Sequence, residues 1–261
     1  MTSGSPLRRA CLGTVGVLVV FGAAQLAMWA ARVDPVIFPL PSVVLGSAAD
    51  LISSGMFWTS VLETLGVWAE AMAISVAIAV PAGLLLGSLP RAEHAVRPVI
   101  EFLRPIPSVV LVPLVLLIVQ DDTKTEVAVI VFAAVWPILI NTVYGLGEVD
   151  PVAKQTLRSF GFGPVAVAGR VSLPSAAPFI ATGVRIAASV AFVVAVAAEL
   201  IGSGMSGIGS YLTQVATSGT GGVTPVLAVA VWSGVLGLVI NAVFVGAERR
   251  AFRWHHMLVR S

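Results

Sequence analysis

Six long apolar runs limit most strongly what this chain can fold into, and they cover residues 11–31, 65–89, 99–119, 127–144, 176–201 and 225–247. A bilayer core of about 30 Å is crossed by about 20 residues of α-helix, so each run is long enough to span a membrane. With 57% hydrophobic and 11% charged residues, the chain has more apolar surface than a soluble fold carries. We therefore predict an all-α, polytopic membrane protein with six transmembrane helices in one domain, 1–261.

The lysines and arginines are distributed unevenly at the ends of these runs. An even number of spans puts both termini on one side, and if that side is inside, thirteen of the fifteen basic residues lie in inner segments. Only Arg32 and Lys124 then lie outside. Because inner segments of membrane proteins are rich in Lys and Arg, we predict that both termini are cytoplasmic. The sequence contains no basic stripe with interleaved aromatic residues, so we expect no binding of nucleic acid.

The first run follows a basic start, which is also the order of a signal peptide. It is about 20 residues long and no convincing small-x-small cleavage site follows it, so we interpret it as the first membrane helix. It contains Cys11, the single cysteine of the chain, which excludes an internal disulfide and cannot form a metal site alone. We expect no metal and no cofactor.

The longest polar interruption, 150–178, carries the signals of a short helix. Asp150 is a candidate N-cap, Pro151 suits the first helical turn, and Gly161 is placed to end the helix in a left-handed conformation. We therefore predict a helix over 152–160, inside a cytoplasmic loop of about 145–175.

The predicted helix has an apolar face and a basic face. Three apolar residues recur at helical spacing, and two basic residues recur on another face. The apolar ones are Ala153, Leu157 and Phe160, and the basic ones are Lys154 and Arg158. A solvated surface helix and a helix that packs against another protein both fit this pattern.

A fixed spacing follows this helix. Gly161 is followed ten residues later by Val171 and then by Leu173 and Pro174. The spacing resembles the signature of the membrane-spanning subunits of binding-protein-dependent ABC importers, in which a Glu-Ala-Ala triplet precedes the glycine. Here 155–157 read Gln-Thr-Leu, so the usual glutamate is absent.

The flanking sequence is similar to that of one branch of the family, the nitrate, sulfonate and taurine permeases. The similar segments are 103–107 (LRPIP), 136–142 (WPILINT) and 197–200 (AAEL). The resemblance covers about 65–246, most of the chain.

The resemblance implies a type I ABC importer permease fold in the bacterial inner membrane. It also implies a non-catalytic subunit that forms the path for a small solute. Its implied partners are cytoplasmic ATP-binding subunits, an extracytoplasmic solute-binding protein and a second copy of this chain. The residues implied to couple to the ATPase are Ala153, Lys154, Gln155, Leu157, Arg158, Phe160, Gly161, Leu173 and Pro174. The chain contains no P-loop, so ATP hydrolysis is expected in a partner.

A few residues inside the runs are candidates for the translocation path: Pro107, Pro113, Asn141 and Glu199. The prolines should kink or interrupt the third run, either as a wall of the path or as a bent packing helix. Asn141 is expected to bond to a neighbouring helix, with substrate contact as the alternative. For Glu199 a gate, an assembly contact and simple solvation all remain open.

Two other functions fit parts of the sequence. An ion-coupled secondary carrier would use Glu70 or Glu199, but the two halves show no internal repeat. A rhomboid-like serine protease would use the Gly-x-Ser-Gly pattern at 204–207, but the only later histidines, His255 and His256, follow the last run.

Four local features complete the prediction. Ser42 is a possible cap for a short helix over 43–51 at the outer interface. Glu101 and Arg104 are expected to pair. Arg185 is expected to reach lipid phosphates or attract an anion. The seven glycines of 202–224 predict a re-entrant or flexible segment.

Overall fold

The structure is a computed structural model that describes residues 6–31, 34, 37–202, 204–219 and 222–252. In this part of the chain the regular secondary structure is helical. The helices are α1 (Pro6–Ala30), α2 (Pro41–Asp50), α3 (Gly55–Ser88), α4 (Pro90–Leu103), α5 (Val112–Val119), α6 (Asp122–Gly147), α7 (Pro151–Ser159), α8 (Pro164–Val167), α9 (Leu173–Ile201), α10 (Ile208–Thr217) and α11 (Thr224–Ala251). His255 and His256 of the protease alternative and Arg32 of the charge count lie outside the described residues.

Within the described residues, four helices are long and apolar enough to cross a membrane: Gly55–Ser88, Asp122–Gly147, Pro164–Ile201 and Thr224–Ala251. Two helices bent against each other would make a fifth span if they are counted as one. The first predicted span, 11–31, falls on α1, where Leu18–Ala30 forms a shorter apolar helix. The all-helical, multi-pass prediction is confirmed, and the count of six spans is not.

The third predicted span, 99–119, is interrupted. Arg91–Leu103 and Ser108–Val119 meet at an angle of 78°. Pro105 and Pro107 lie in the break, and Pro113 lies in the first turn of α5. Proline lacks the N–H that would continue the helical ladder, so the predicted interruption is confirmed.

The chain divides into two compact units, of which the first comprises 1–58 and 211–234. Here the Gln25 side chain joins α1 to α2, because its Nε2 donates to Ser42 Oγ at 3.2 Å and its Oε1 accepts from Ser42 N at 3.1 Å. The N-cap of α2 is Leu40, and Pro41 opens the helix, so the predicted Ser42 cap is wrong. The Trp232 indole donates to the carbonyl of Ala48 at 2.8 Å.

The second unit comprises 59–210 and 235–261, and within it α6 packs against α5 and α9. Glycines let its neighbours approach closely, as is common where membrane helices pack. A Cβ atom on Gly83 of α3 would lie 2.6 Å from Thr142 Cβ, and one on Gly145 of α6 would lie 2.7 Å from Phe179 Cβ of α9. Helix α6 is therefore in near-backbone contact with both α3 and α9.

Most of the predicted loop 145–175 is helical. It contains the end of α6, then α7 and α8, and a π-helical turn over Ala168–Ser172 that runs directly into α9. Leu173 and Pro174 therefore start a membrane helix instead of ending a loop, and the fifth span begins before residue 176. The glycine-rich segment 202–224 likewise contains the regular helix α10.

Two predicted charge contacts are replaced by others. Glu101 pairs with Arg97, one turn earlier on α4, at 2.9 Å from Nε to Oε1, and not with Arg104. Arg185 Nε lies 3.1 Å from Glu248 Oε2 of α11, although its N–H is not aligned for a hydrogen bond. Arg185 is thus held inside its own unit instead of reaching lipid phosphates.

Candidate functional site

The predicted helix after Asp150 is present as α7, Pro151–Ser159. Asp150 is its N-cap, and its Oδ1 accepts a hydrogen bond from Val152 N at 2.8 Å. Pro151 occupies the first turn, where a missing N–H removes no intrahelical bond. The start of the helix is therefore fixed by its own sequence.

The C-terminal end of α7 is fixed by Gly161, which has a φ of +83°. Phe162 N donates to Leu157 O at 3.1 Å, and Gly161 N donates to Arg158 O at 2.9 Å. This pair of bonds is the Schellman motif, and its left-handed residue is usually glycine because a Cβ is penalised there. The predicted C-terminal role of Gly161 is confirmed.

Exposure divides α7 differently from the prediction. Ala153 and Leu157 are half-buried, as expected of a packing face, but Phe160 is 76% exposed. Lys154, assigned to the wet face, is half-buried, and its Nζ donates to the Leu146 carbonyl at 3.3 Å. Lys154 thereby ties α7 to the last turn of α6.

The surface around α7 exposes several apolar side chains. Val152 and Phe160 are exposed, and Val165 of α8 is 86% exposed. Gln155 and Arg158 are exposed beside them. Apolar groups gathered on a polar segment mark a surface for a partner more often than scattered ones do.

The segment after α7 is joined to the π-helical turn by a ring contact. The Arg170 guanidinium carbon lies 4.7 Å from the centroid of the Phe162 ring, which is a cation–π geometry. Leu173 and Pro174 are exposed at the start of α9. The signature residues from Gly161 to Pro174 thus lie on one continuous, mostly helical connection between α7 and α9.

The candidate path residues are not gathered at one point. Pro107 is exposed in the break before α5. Asn141 of α6 donates to Pro137 O of its own helix at 2.8 Å, so the expected bond to a neighbouring helix is not the one observed. Glu199 is 1% exposed at the end of α9, which excludes simple solvation.

A cavity of about 540 Å³ opens between α4 and the end of α6. None of the candidate path residues lines it. Charged groups of both signs line it, together with Tyr144 and apolar side chains, and they are Glu93, Arg97, Glu101, Arg104 and Glu148. The mixture of charges gives no preference for an anion or a cation.

Sequence reasoning missed one buried carboxyl group. Glu126, in the second turn of α6, is 2% exposed and lies in hydrogen-bonding contact with Glu199. The predicted apolar run begins at 127, directly after Glu126, so the sequence pattern places this residue outside the span. The available signal was its position, one residue before a spanning run, at the same predicted outer level as Glu199.

In the described part of the chain, four helices long and apolar enough to cross a membrane define a multi-pass integral membrane protein. The chain belongs to the family described as binding-protein-dependent transport system inner membrane component, which it matches over residues 79–253. The resemblance to ABC importer permeases is therefore confirmed.

Named relatives agree with the nitrate-type branch. The chain is 32% identical over 161 residues to the bicarbonate transport system permease protein CmpB of Synechocystis sp. (strain ATCC 27184 / PCC 6803 / Kazusa), a match that covers 62% of this chain and 57% of that protein. It is 28% identical over 197 residues to the nitrate import permease protein NrtB of Leptolyngbya laminosa, covering 76% of this chain and 68% of that protein. The chain thus spans little more than half of the first relative.

A solved structure shares the fold. A chain of the MetNI methionine ABC transporter in an inward facing conformation matches with a TM-score of 0.65 and 19% identity, over 75% of this chain and 95% of that chain. At this identity the likeness concerns the fold alone. The predicted permease fold is supported by it.

Proposed function

We propose that this chain is the membrane subunit of an ATP-driven importer. Two copies pair around a path through the bacterial inner membrane, with both termini in the cytoplasm. Cytoplasmic subunits bind and hydrolyse ATP, and an extracytoplasmic binding protein delivers the solute. The chain performs no catalysis itself.

The observation that carries this proposal is the construction of α7. Both of its ends are fixed, by Asp150 and by Gly161, and none of its residues is buried in this chain. A short helix with fixed ends moves as a rigid body when a partner holds it. Its displacement reaches α6 through Lys154 and α9 through the helical connection 164–172.

The ATP-binding subunit holds α7 mainly through apolar contact. Phe160, exposed here, enters a groove of that subunit, and burying such a side chain contributes about 1.5–3 kcal/mol. Leu157, half-buried one turn earlier, adds apolar contact, and Arg158 adds a polar contact. Gln155 in place of the family's glutamate still forms hydrogen bonds but offers no salt bridge to an arginine of the partner.

The translocation path runs along the bent segment formed by α4 and α5. Pro107 lies in the bend and Pro113 in the first turn of α5 beyond it. A proline-broken backbone is tolerated at membrane depth where protein or a water-filled cavity covers it. Asn141 lies along the path on α6. Glu199, which is buried, holds the outer end of the path closed and does not contact the solute.

The solute is a small anion. The relatives named above are described as bicarbonate and nitrate permeases, and both solutes are small inorganic anions. In this arrangement the extracytoplasmic binding protein selects the solute, and the membrane subunit admits what is delivered.

Purification of the chain with its copurifying ATP-binding subunits and its binding protein tests the proposal. In proteoliposomes, radiolabelled bicarbonate or nitrate should accumulate only when ATP, both partners and this chain are present. Omission of each component in turn is the control. Uphill uptake without a nucleotide-hydrolysing partner would overturn the proposal.

A further inference from the structure

Two glutamates from different helices lie together inside the second unit. Glu126 comes from the second turn of α6 and Glu199 from the last turns of α9. Their side chains are 2% and 1% exposed, and the two carboxyl groups are in hydrogen-bonding contact. Burial of two acidic groups in contact requires a compensating interaction, because each bare charge is strongly disfavoured away from water.

The hydrogen-bond donors that the structure describes around the pair lie against Glu199. Gly209 N donates to Glu199 Oε2 at 2.6 Å. The Thr64 hydroxyl also lies against Glu199, and its oxygen accepts from Ile208 N at 2.9 Å. Backbone N–H groups stabilise an ionised carboxylate, so the negative charge of the pair belongs on Glu199.

One oxygen of each carboxyl group has no donor among the described N–H and hydroxyl groups. These atoms are Glu126 Oε1 and Glu199 Oε1. An ionised carboxylate only accepts hydrogen bonds, so two ionised carboxylates in contact cannot bond to each other. A single proton on one of them turns the repulsion into an O–H···O⁻ hydrogen bond, which is among the stronger kinds.

The other charged groups that the structure describes near the pair do not neutralise it. Glu63 on α3 faces Glu199 and adds negative charge. Asp122, which is also acidic, lies against Gly204 in the loop after α9. Lys124 is turned to the surface, where its Nζ lies 3.3 Å from Asp121 Oδ2.

A metal cation fits this arrangement poorly. The two backbone N–H groups present the positive ends of their dipoles toward the pair and toward Thr64, where a cation would need oxygen ligands. Among the described residues no group of three His, Cys, Asp or Glu side chains gathers to hold a metal. A proton satisfies the same oxygens without further ligands.

We propose that Glu126 and Glu199 form a proton-binding site in which Glu126 carries the proton and donates it to ionised Glu199. The site acts as a clasp between three elements, since it joins the start of α6 to the end of α9, and Gly209 extends it to the start of α10. Loss of the proton leaves two buried negative charges in contact, which drives the three elements apart. The site belongs to this chain alone and does not depend on which solute is carried.

Infrared spectroscopy of the purified chain in lipid nanodiscs tests the site directly. A protonated carboxyl group has a C=O stretch separate from the bands of carboxylates and amides. At neutral pH the wild type should show this band, and E126Q should lose that component, because glutamine keeps the shape and removes the acid. E126D should shift the band without abolishing it, and Glu101→Gln, next to Arg97, should leave it unchanged.

Hydrogen exchange of segment 204–210 tests the clasp. In the wild type, exchange protection of this segment should fall at alkaline pH by more than the intrinsic rate increase explains. In E126Q it should not, because the glutamine amide donates to Glu199 at any pH. An infrared difference of zero between wild type and E126Q would overturn the protonation site. Equal pH dependence of protection in the two proteins would overturn the clasp. If E126Q does not fold, a band that stays at its wild-type position in E126D would equally exclude Glu126 as the proton carrier.

Discussion

A Cβ atom on Gly183 of α9 would lie 2.8 Å from Asn141 Cβ of α6 and 2.9 Å from the Pro137 carbonyl oxygen. The two helices therefore meet at a point where no side chain fits between them. We expect Gly183→Val to separate them and to lower the free energy of unfolding by about 1–3 kcal/mol, the usual effect of overpacking. Thermal unfolding in detergent, followed by tryptophan fluorescence, measures it.

The matched control for this substitution is Gly66→Val on α3, where an added Cβ meets nothing within 4 Å. It should change the unfolding temperature far less. If Gly183→Val unfolds at the wild-type temperature, the close approach of α6 and α9 is contradicted.

Gly161→Val should uncouple transport from ATP hydrolysis. A β-branched residue is penalised at a φ of +83°, by about 1–2 kcal/mol in the left-handed region, so the end of α7 is lost. Solute uptake and solute-stimulated ATPase activity in proteoliposomes should both fall. Gly163→Ala is the control, because its N-cap backbone has a φ of −70° and its Cβ would meet nothing within 4 Å. Wild-type coupling in Gly161→Val would refute the assignment of α7.

Phe160→Ala and Phe162→Ala should affect different properties. Phe160 is exposed, so its loss should leave the stability of this chain unchanged and weaken binding of the ATP-binding subunit by about 1.5–3 kcal/mol. Phe162 is half-buried beneath Arg170, so its loss should lower the stability of the chain itself. Unfolding curves and titration binding assays separate the two effects. A destabilised Phe160→Ala chain would show that Phe160 packs internally.

Asp121 should contribute stability that depends on pH. It is the N-cap of α6, and the hydrogen bond from the Lys124 backbone N–H, followed by the one from the Lys124 side chain, holds the pKa of Asp121 below its ordinary value. A depressed carboxyl pKa stabilises the fold above the ordinary value near 3.9, and this contribution disappears as the pH falls through the lower, folded-state pKa.

We therefore expect Asp121→Ala to unfold at a lower temperature than the wild type at pH 7, with a difference that shrinks under acidic conditions. Asp121→Asn keeps a good capping oxygen and should lose less than alanine does. An alanine deficit that is constant down to acidic pH would show that the charge of Asp121 contributes nothing.

The local signals of the sequence located α7 well. Asp150, Pro151 and Gly161 act through bonds to residues within a few positions, so the helix ends could be assigned from neighbours in the chain. The exposure of Phe160 and the half-burial of Lys154 could not, because both depend on where α6 ends in space. Periodicity alone divides a helix into faces without saying which face meets another element.

The apolar runs predicted where the membrane helices lie in the sequence, but they did not predict where each helix begins and ends. Helix α3 begins at Gly55, well before the run at 65, because Thr59, Ser60, Glu63 and Thr64 interrupt the apolar residues of its first turns. The same cause hid Glu126 at the start of α6. Pro105 and Pro107 predicted a break in the third run, but their positions in the sequence do not fix its angle of 78°.

The π-helical turn at Ala168–Ser172 has a mechanical consequence for the connection from α7 to α9. Such a turn holds one residue more than an α-helical turn, and one residue corresponds to about 100° of rotation around the helix axis. Converting it to a regular α-helix would swing α8, with α7 behind it, about the axis of α9 without lengthening the chain. Through such a change, a force applied to α7 would rotate the start of the membrane helix α9 about its own axis.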